Sequence, residues 1–119
     1  MIEVKRVYEE STGTGGTRVL VDRLWPRGVA KADADFEWEK EVAPSDALRM
    51  WYAHIPERFE EFSRRYRAEL TDPDRAAALD RLTDTARTGT LTLLTATKDP
   101  ERSQAAVLRQ VLTERVEGA

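Results

Sequence analysis

Apolar and polar positions alternate from Ile2 to Tyr8, with Ile2, Val4 and Arg6 on one side and Glu3, Lys5 and Val7 on the other. This two-residue period, rich in β-branched residues, predicts a strand. A second strand is expected over Thr17 to Leu24, after a break from Glu9 to Thr17 whose Ser-Thr-Gly-Thr-Gly-Gly content is turn chemistry. That break is short for the helical crossover that joins parallel neighbours, so whether the first two strands pair directly stays open. Gly28 to Asp35 reads as a loop, and Phe36 to Val42 as either a short edge strand or one or two helical turns.

The pattern then turns helical. Pro44-Ser45 opens a short helix with Ser45 as its N-cap and Leu48, Trp51 and Tyr52 on the buried side. Pro56 suits a first helical position, and Phe59, Phe62, Tyr66 and Leu70 form an apolar stripe on a charged cylinder. Asp72-Pro73 starts a third helix through Ala76, Leu79, Leu82 and Ala86, with Gly89 as its C-terminal cap. Leu91 to Ala96 is apolar on both faces, as a central strand would be. Asp99-Pro100 then caps a last helix carrying Ala105, Leu108, Val111, Leu112 and Val116 inward. The reading is one α/β domain over residues 1–119, a small, mostly parallel sheet of three or four strands flanked by four to five helices.

Composition narrows the chemistry. A chain of 119 residues, 40% hydrophobic and 34% charged, matches an ordinary soluble protein, and its apolar runs are too short to cross a bilayer. The N-terminus reads as a strand, not a signal peptide, so a cytoplasmic location without membrane contact is expected. The absence of cysteine excludes disulfides, thiolate nucleophiles and zinc–sulfur sites, and His54 is the sole histidine, so neither metal nor cofactor is expected. A net charge of −3 gives no long-range pull toward nucleic acid. Arg58, Arg64, Arg65 and Arg67 interleave with Glu57, Glu60, Glu61 and Glu69, where the Glu60/Arg64 and Glu61/Arg65 spacings describe a solvated helix face rather than a phosphate-binding patch.

The densest chemistry lies at Arg18-Val19-Leu20-Val21-Asp22-Arg23-Leu24-Trp25-Pro26-Arg27-Gly28, where a strand runs into two arginines, a carboxylate and an indole. This block resembles the hallmark of the YeaO-like branch of the domain of unknown function 488 family. Similar blocks follow at Ala43-Pro44-Ser45, Leu48-Arg49 with Trp51 and His54, Pro56-Glu57-Arg58-Phe59, Tyr66, Glu69-Leu70, and Leu93-Leu94 leading to Lys98-Asp99. The resemblance spans nearly the whole chain and implies a compact α/β fold and a cytosolic bacterial protein, but it carries no established activity. Relatives in the branch place histidine-rich residues where this chain has Arg102-Ser103-Gln104, and the wider family tends to carry a cysteine where this chain has Thr95. Neither imidazole nor thiol chemistry is therefore inherited at those positions. Ile55 stands where an N-capping aspartate is expected before Pro56, a weaker cap by about 1 kcal/mol.

In an open α/β sheet, ligands bind beyond the carboxyl ends of parallel strands. If the second and last strands run parallel, their loops deliver Arg23, Arg27 and Lys98 to one rim, with Trp25 as wall or core plug and Arg49 facing the same cleft. Such cations suit a phosphorylated or carboxylated small molecule. A hydrolase is the enzyme class these residues would first serve, with Asp22 or His54 as base. The same residues also admit a structural reading, in which Asp22 and Asp99 neutralise Arg23, Arg27 or Lys98 and Asp99 occupies the helix end. His54 reads first as a packed helix-terminal residue, Ser45 as a cap rather than a nucleophile, and Gly13-Thr14-Gly15-Gly16 as a turn without the lysine of a phosphate loop. The alternative function is a protein–protein or self-association module built on Trp25, Trp38, Trp51 and Tyr52, in a protein expected to be a monomer or weak homodimer.

Overall fold

The computed structural model describes residues 1–9 and 16–118. Four strands, β1 (Ile2–Arg6), β2 (Thr17–Leu20), β3 (Glu37–Trp38) and β4 (Leu91–Thr95), form one sheet in the order β1-β4-β2-β3, and every pairing is parallel. β4 lies between the first two strands, so β1 and β2 are not direct neighbours. Their connection feeds a strand two positions away, and the Ser11–Gly15 part of the expected turn lies outside the described residues. Gly16 closes the entry to β2 at φ +91°, where a Cβ would stand 2.7 Å from the Thr90 carbonyl oxygen. That oxygen accepts the N–H of Thr17 at 2.9 Å.

All five residues of β4, its two threonines included, are buried, as its almost wholly apolar pattern predicts for a central strand. The two faces of the sheet are covered differently. Val19, Val21, Leu91 and Leu93 pack with buried residues of α1 (Asp46–Tyr52), α2 (Phe59–Glu69), α3 (Pro73–Thr88) and α4 (Gln104–Glu117). Leu20, Leu94 and Val7 instead meet Trp25, Phe36, Trp38 and Ala96, a small second core with no helix in it. The segment that the sequence left open supplies this cover: Phe36 to Val42 contains both the edge strand β3 and a 3₁₀ turn at Lys40–Val42.

Gly89 caps the C-terminus of α3 as expected, with extended backbone, φ 175°, which any residue adopts, whereas the start of the last helix differs. Asp99-Pro100 begins a 3₁₀ turn, Pro100–Arg102, and α4 is capped by Ser103, whose hydroxyl accepts from the N–H of Ala105 at 3.1 Å. The Asp99 carboxylate therefore does not occupy the α4 terminus. Ser45 caps α1 as expected, accepting from Leu48 N–H at 3.2 Å, and its own hydroxyl and N–H donate to Glu69 of α2 at 2.5 and 2.8 Å. β2 also ends earlier than its sequence pattern, at Leu20; Val21 N–H still donates to the Leu94 carbonyl of β4 at 3.1 Å, and the chain turns away from Asp22 onward.

Candidate functional site

Because β2 and β4 are parallel neighbours, the loops following them emerge on one rim. Between them lies a cavity of about 360 Å³. Asp22, Arg23, Trp25 and Arg27 enter it from the loop after β2, Ala96 and Thr97 from the loop after β4, Arg49, Tyr52 and His54 from α1 and its end, and Ser103 and Gln104 from the start of α4.

Local bonds fix the β2 loop. Pro26 is buried, and Gly28 turns the chain at φ +78°. The Trp25 indole donates to the Val29 carbonyl at 2.6 Å and stacks on Phe36 with ring centroids 5.3 Å apart. Trp25 thus serves both roles open to it, covering Leu20 and Leu94 while also lining the cavity. Tyr8, itself a cavity residue, donates its hydroxyl to the Arg27 carbonyl at 3.1 Å. On the opposite side Arg6 Nε donates to the Thr97 carbonyl at 3.1 Å and steadies the loop after β4.

Asp22 forms the floor. Its Oδ1 accepts from the Thr95 hydroxyl at 2.8 Å and from the Gln104 side-chain amide, and its Oδ2 accepts from the Ala96 N–H at 2.8 Å. Burial pushes the carboxyl above its ordinary range, against the opposing pull of these hydrogen bonds and of His54. His54 reaches the rim because Ala53 and His54 are successive left-handed residues, φ 47° and 57°, that end α1 abruptly. The Tyr52 hydroxyl donates to the Arg102 carbonyl at 2.6 Å, and burial, with Asp99 nearby, holds its pKa above the usual phenol value.

Arg23, Trp25, Arg27, Arg49, Asp22 and His54 thus share one hollow, whereas Lys98 does not join them. Lys98 lines an adjacent hollow with Asp99 and Arg102, sharing Tyr52, His54, Ala96 and Thr97 with the first. The 3₁₀ turn that displaces the start of α4 to Ser103 sends the Lys98-Asp99 corner beyond these shared residues. The expected neutralising network also differs. Asp22 is in no ion pair among the described residues, and Asp99 pairs with Arg102 at 3.4 Å. Arg23 and Arg49 each approach Asp46 at 3.6 Å on the exposed rim, where such pairs contribute little.

Sequence reasoning missed Tyr8, Phe62 and Gln104 as cavity residues. Gln104 had a usable signal, since Ser103 is an equally good N-cap and would have put Gln104 on the first turn facing the strand ends. The aromatic module has a weaker basis here: all three tryptophans are partly buried, and Tyr52 is buried. Arg58 and Arg65 cover Trp51, while Lys31 and Lys40 approach Trp38. The arginines of α2 are largely engaged, with Arg64 and Arg65 both on Glu61 and Arg67 on Glu114. Among the described residues no helix is long and apolar enough to cross a membrane.

The family model of the "Inactive DUF488-N3 subclade" matches residues 1–119. The uncharacterized protein Rv3073c of Mycobacterium tuberculosis (strain ATCC 25618 / H37Rv) is 49% identical over 115 residues, covering 96% of this chain and 95% of the relative. The uncharacterized protein YeaO of Escherichia coli (strain K12) is 40% identical over 108 residues, covering 90% and 92% respectively. No solved structure matches. With its parallel α/β sheet, its Asp22–Gly28 loop and a match along its whole length, the chain belongs to the DUF488 family, in the subclade described as inactive.

Proposed function

We propose that this protein binds an anionic small molecule, phosphorylated or carboxylated, in the cavity beyond β2 and β4, and that it holds this ligand without turning it over. The observation that carries the reading is the meeting of Arg23, Arg27 and Arg49 around one hollow that contains a single carboxylate, Asp22. Guanidinium forks match phosphate and carboxylate oxygens bidentately, and a partly enclosed site strengthens those bonds. Arg27 is the arginine best placed to serve, since it forms no ion pair among the described residues while its backbone is pinned by Tyr8.

Binding is favoured over hydrolysis by the surroundings of Asp22. Thr95 is the hydroxyl within its reach, yet Thr95 is 0% exposed and does not line the cavity, so no substrate meets it. Gln104 can hold a carboxylate but cannot carry a proton at neutral pH. The description of the subclade as inactive agrees with this reading.

Calorimetric titration with inorganic phosphate tests it. Wild type should bind, and Arg27→Ala should lose about tenfold or more in affinity, the worth of one charge-assisted hydrogen bond, with thermal stability unchanged. Undiminished phosphate binding by Arg27→Ala would remove the proposal.

A further inference from the structure

An anion alone leaves Asp22 unexplained. Its carboxylate lines the cavity and opposes the very charge that Arg23, Arg27 and Arg49 attract. It is largely buried, and its three donors are all neutral groups: a hydroxyl, a backbone N–H and a side-chain amide. Buried carboxylates are ordinarily compensated by a cation, because removing a lone charge from water is costly. Among the described residues no such cation pairs with Asp22. Arg23 and Arg49 turn to Asp46, and His54 makes no hydrogen bond or ion pair with Asp22 among the described residues. The bonds are also unevenly shared. Oδ1 accepts two donors and Oδ2 one, so the carboxylate keeps an acceptor position free.

We infer that the ligand supplies the missing counter-charge: the cavity takes a zwitterionic small molecule, with a primary ammonium on Asp22 and a phosphate or carboxylate on the arginine rim. This rests on the anion-binding reading above and adds the second end of the ligand. The walls suit the join, since Trp25, Pro26, Tyr52 and Phe62 offer apolar surface for a short alkyl chain. Aromatic faces also favour a nearby ammonium.

The test compares matched probes by calorimetry on the full chain at neutral pH. Aminoethyl, aminopropyl and aminobutyl phosphate are set against propyl, butyl and pentyl phosphate, in which a methyl replaces the ammonium, with inorganic phosphate alongside. At least one amino phosphate should bind about tenfold or more tightly than its methyl counterpart, as a charge-assisted hydrogen bond requires. In Asp22→Asn that preference should vanish while the alkyl phosphates bind at least as well as before. In Asp46→Asn, which removes the exposed carboxylate nearby, the preference should persist. Equal binding of every pair by wild type overturns the inference and leaves the anion site standing, and this comparison needs no variant to fold. Loss of the preference in Asp46→Asn assigns the ammonium elsewhere and also overturns it. Failure of every phosphate to bind overturns the anion site and the inference together.

Discussion

Replacing Thr95 by valine keeps the shape of a fully buried side chain while deleting one of the donors that hold the Asp22 carboxylate. Two bonds disappear that nothing replaces, the hydroxyl donation to Asp22 Oδ1 at 2.8 Å and the acceptance of Thr97 N–H at 3.2 Å, together with a 3.1 Å contact to the half-buried Thr97 hydroxyl, which water can take over. A hydrogen bond to a charged group contributes about 1.5–3 kcal/mol, and a neutral one about 0.5–1.5 kcal/mol. Thr95→Val should therefore cost roughly 2–4 kcal/mol at neutral pH, a large share of the ~5–15 kcal/mol that holds a domain together. The loss should depend on pH in one direction. Because burial raises the folded pKa of Asp22, the native state keeps this proton at pH values where the unfolded chain has lost it. The cost of burying the ionised form is absent below the unfolded value of about 3.9 and is fully present only above the folded pKa. Thr95→Val raises that folded pKa further. The gap between wild type and variant should accordingly widen as pH rises from the wild-type folded pKa to the higher one of the variant and flatten above it, falling at lower pH toward the neutral contribution alone. Urea denaturation of both proteins from about pH 4 to pH 8 measures the gap directly. A destabilisation that is the same at every pH, or none at all, would refute the argument that Thr95 supports an ionised Asp22.

Three further substitutions probe the scaffold around the site. Tyr66 is 0% exposed and donates its hydroxyl to the Val42 carbonyl at 2.5 Å, so Tyr66→Phe should cost about 1–3 kcal/mol in urea denaturation by stranding that carbonyl. Ala53→Gly relieves a left-handed alanine worth about 1–2 kcal/mol but adds unfolded-state entropy of about 0.4–1 kcal/mol, so a net gain of roughly 0.5–1 kcal/mol should appear as a higher Tm. Gly16→Ala combines a positive φ with a Cβ only 2.7 Å from the Thr90 carbonyl oxygen and should lose at least about 1–2 kcal/mol, seen as a lower urea midpoint.

Much of the fold was legible because its signals are local. The almost wholly apolar stretch from Leu91 to Ala96 announced a central strand, and the spacing of Phe62, Tyr66 and Leu70 announced the face that α2 buries. Ser45 was readable as a cap because its hydroxyl bonds within its own turn. What was not legible depends on partners distant in sequence. Neither Trp25 nor Phe36 reveals alone that they stack to cover a helix-free sheet face, and two equally good cap candidates, Asp99 and Ser103, differ only in how the chain leaves β4. That choice also decided the site. Placing the cap at Asp99 sends Lys98 toward Arg23, whereas the actual cap at Ser103 sends Gln104 there and leaves Lys98 in the neighbouring hollow. The rim itself was inferable from topology, since parallel strands must release their loops on one edge.

The roles of Thr95 and Gln104 are not independent, because both side chains donate to the same Asp22 oxygen. Together with the Ala96 N–H they make the carboxylate a clamp joining the end of β2 to the end of β4 and the first turn of α4. A clamp of neutral donors can hold a carboxylate in place, but it leaves the negative charge uncompensated, and burial keeps that charge costly. A ligand cation at Oδ2 would meet this deficit without displacing any of the three bonds, because each donor already has its own lone pair. Binding would then strengthen the junction of β2, β4 and α4 rather than compete with it, and ligand affinity and fold stability would rise together through one carboxylate.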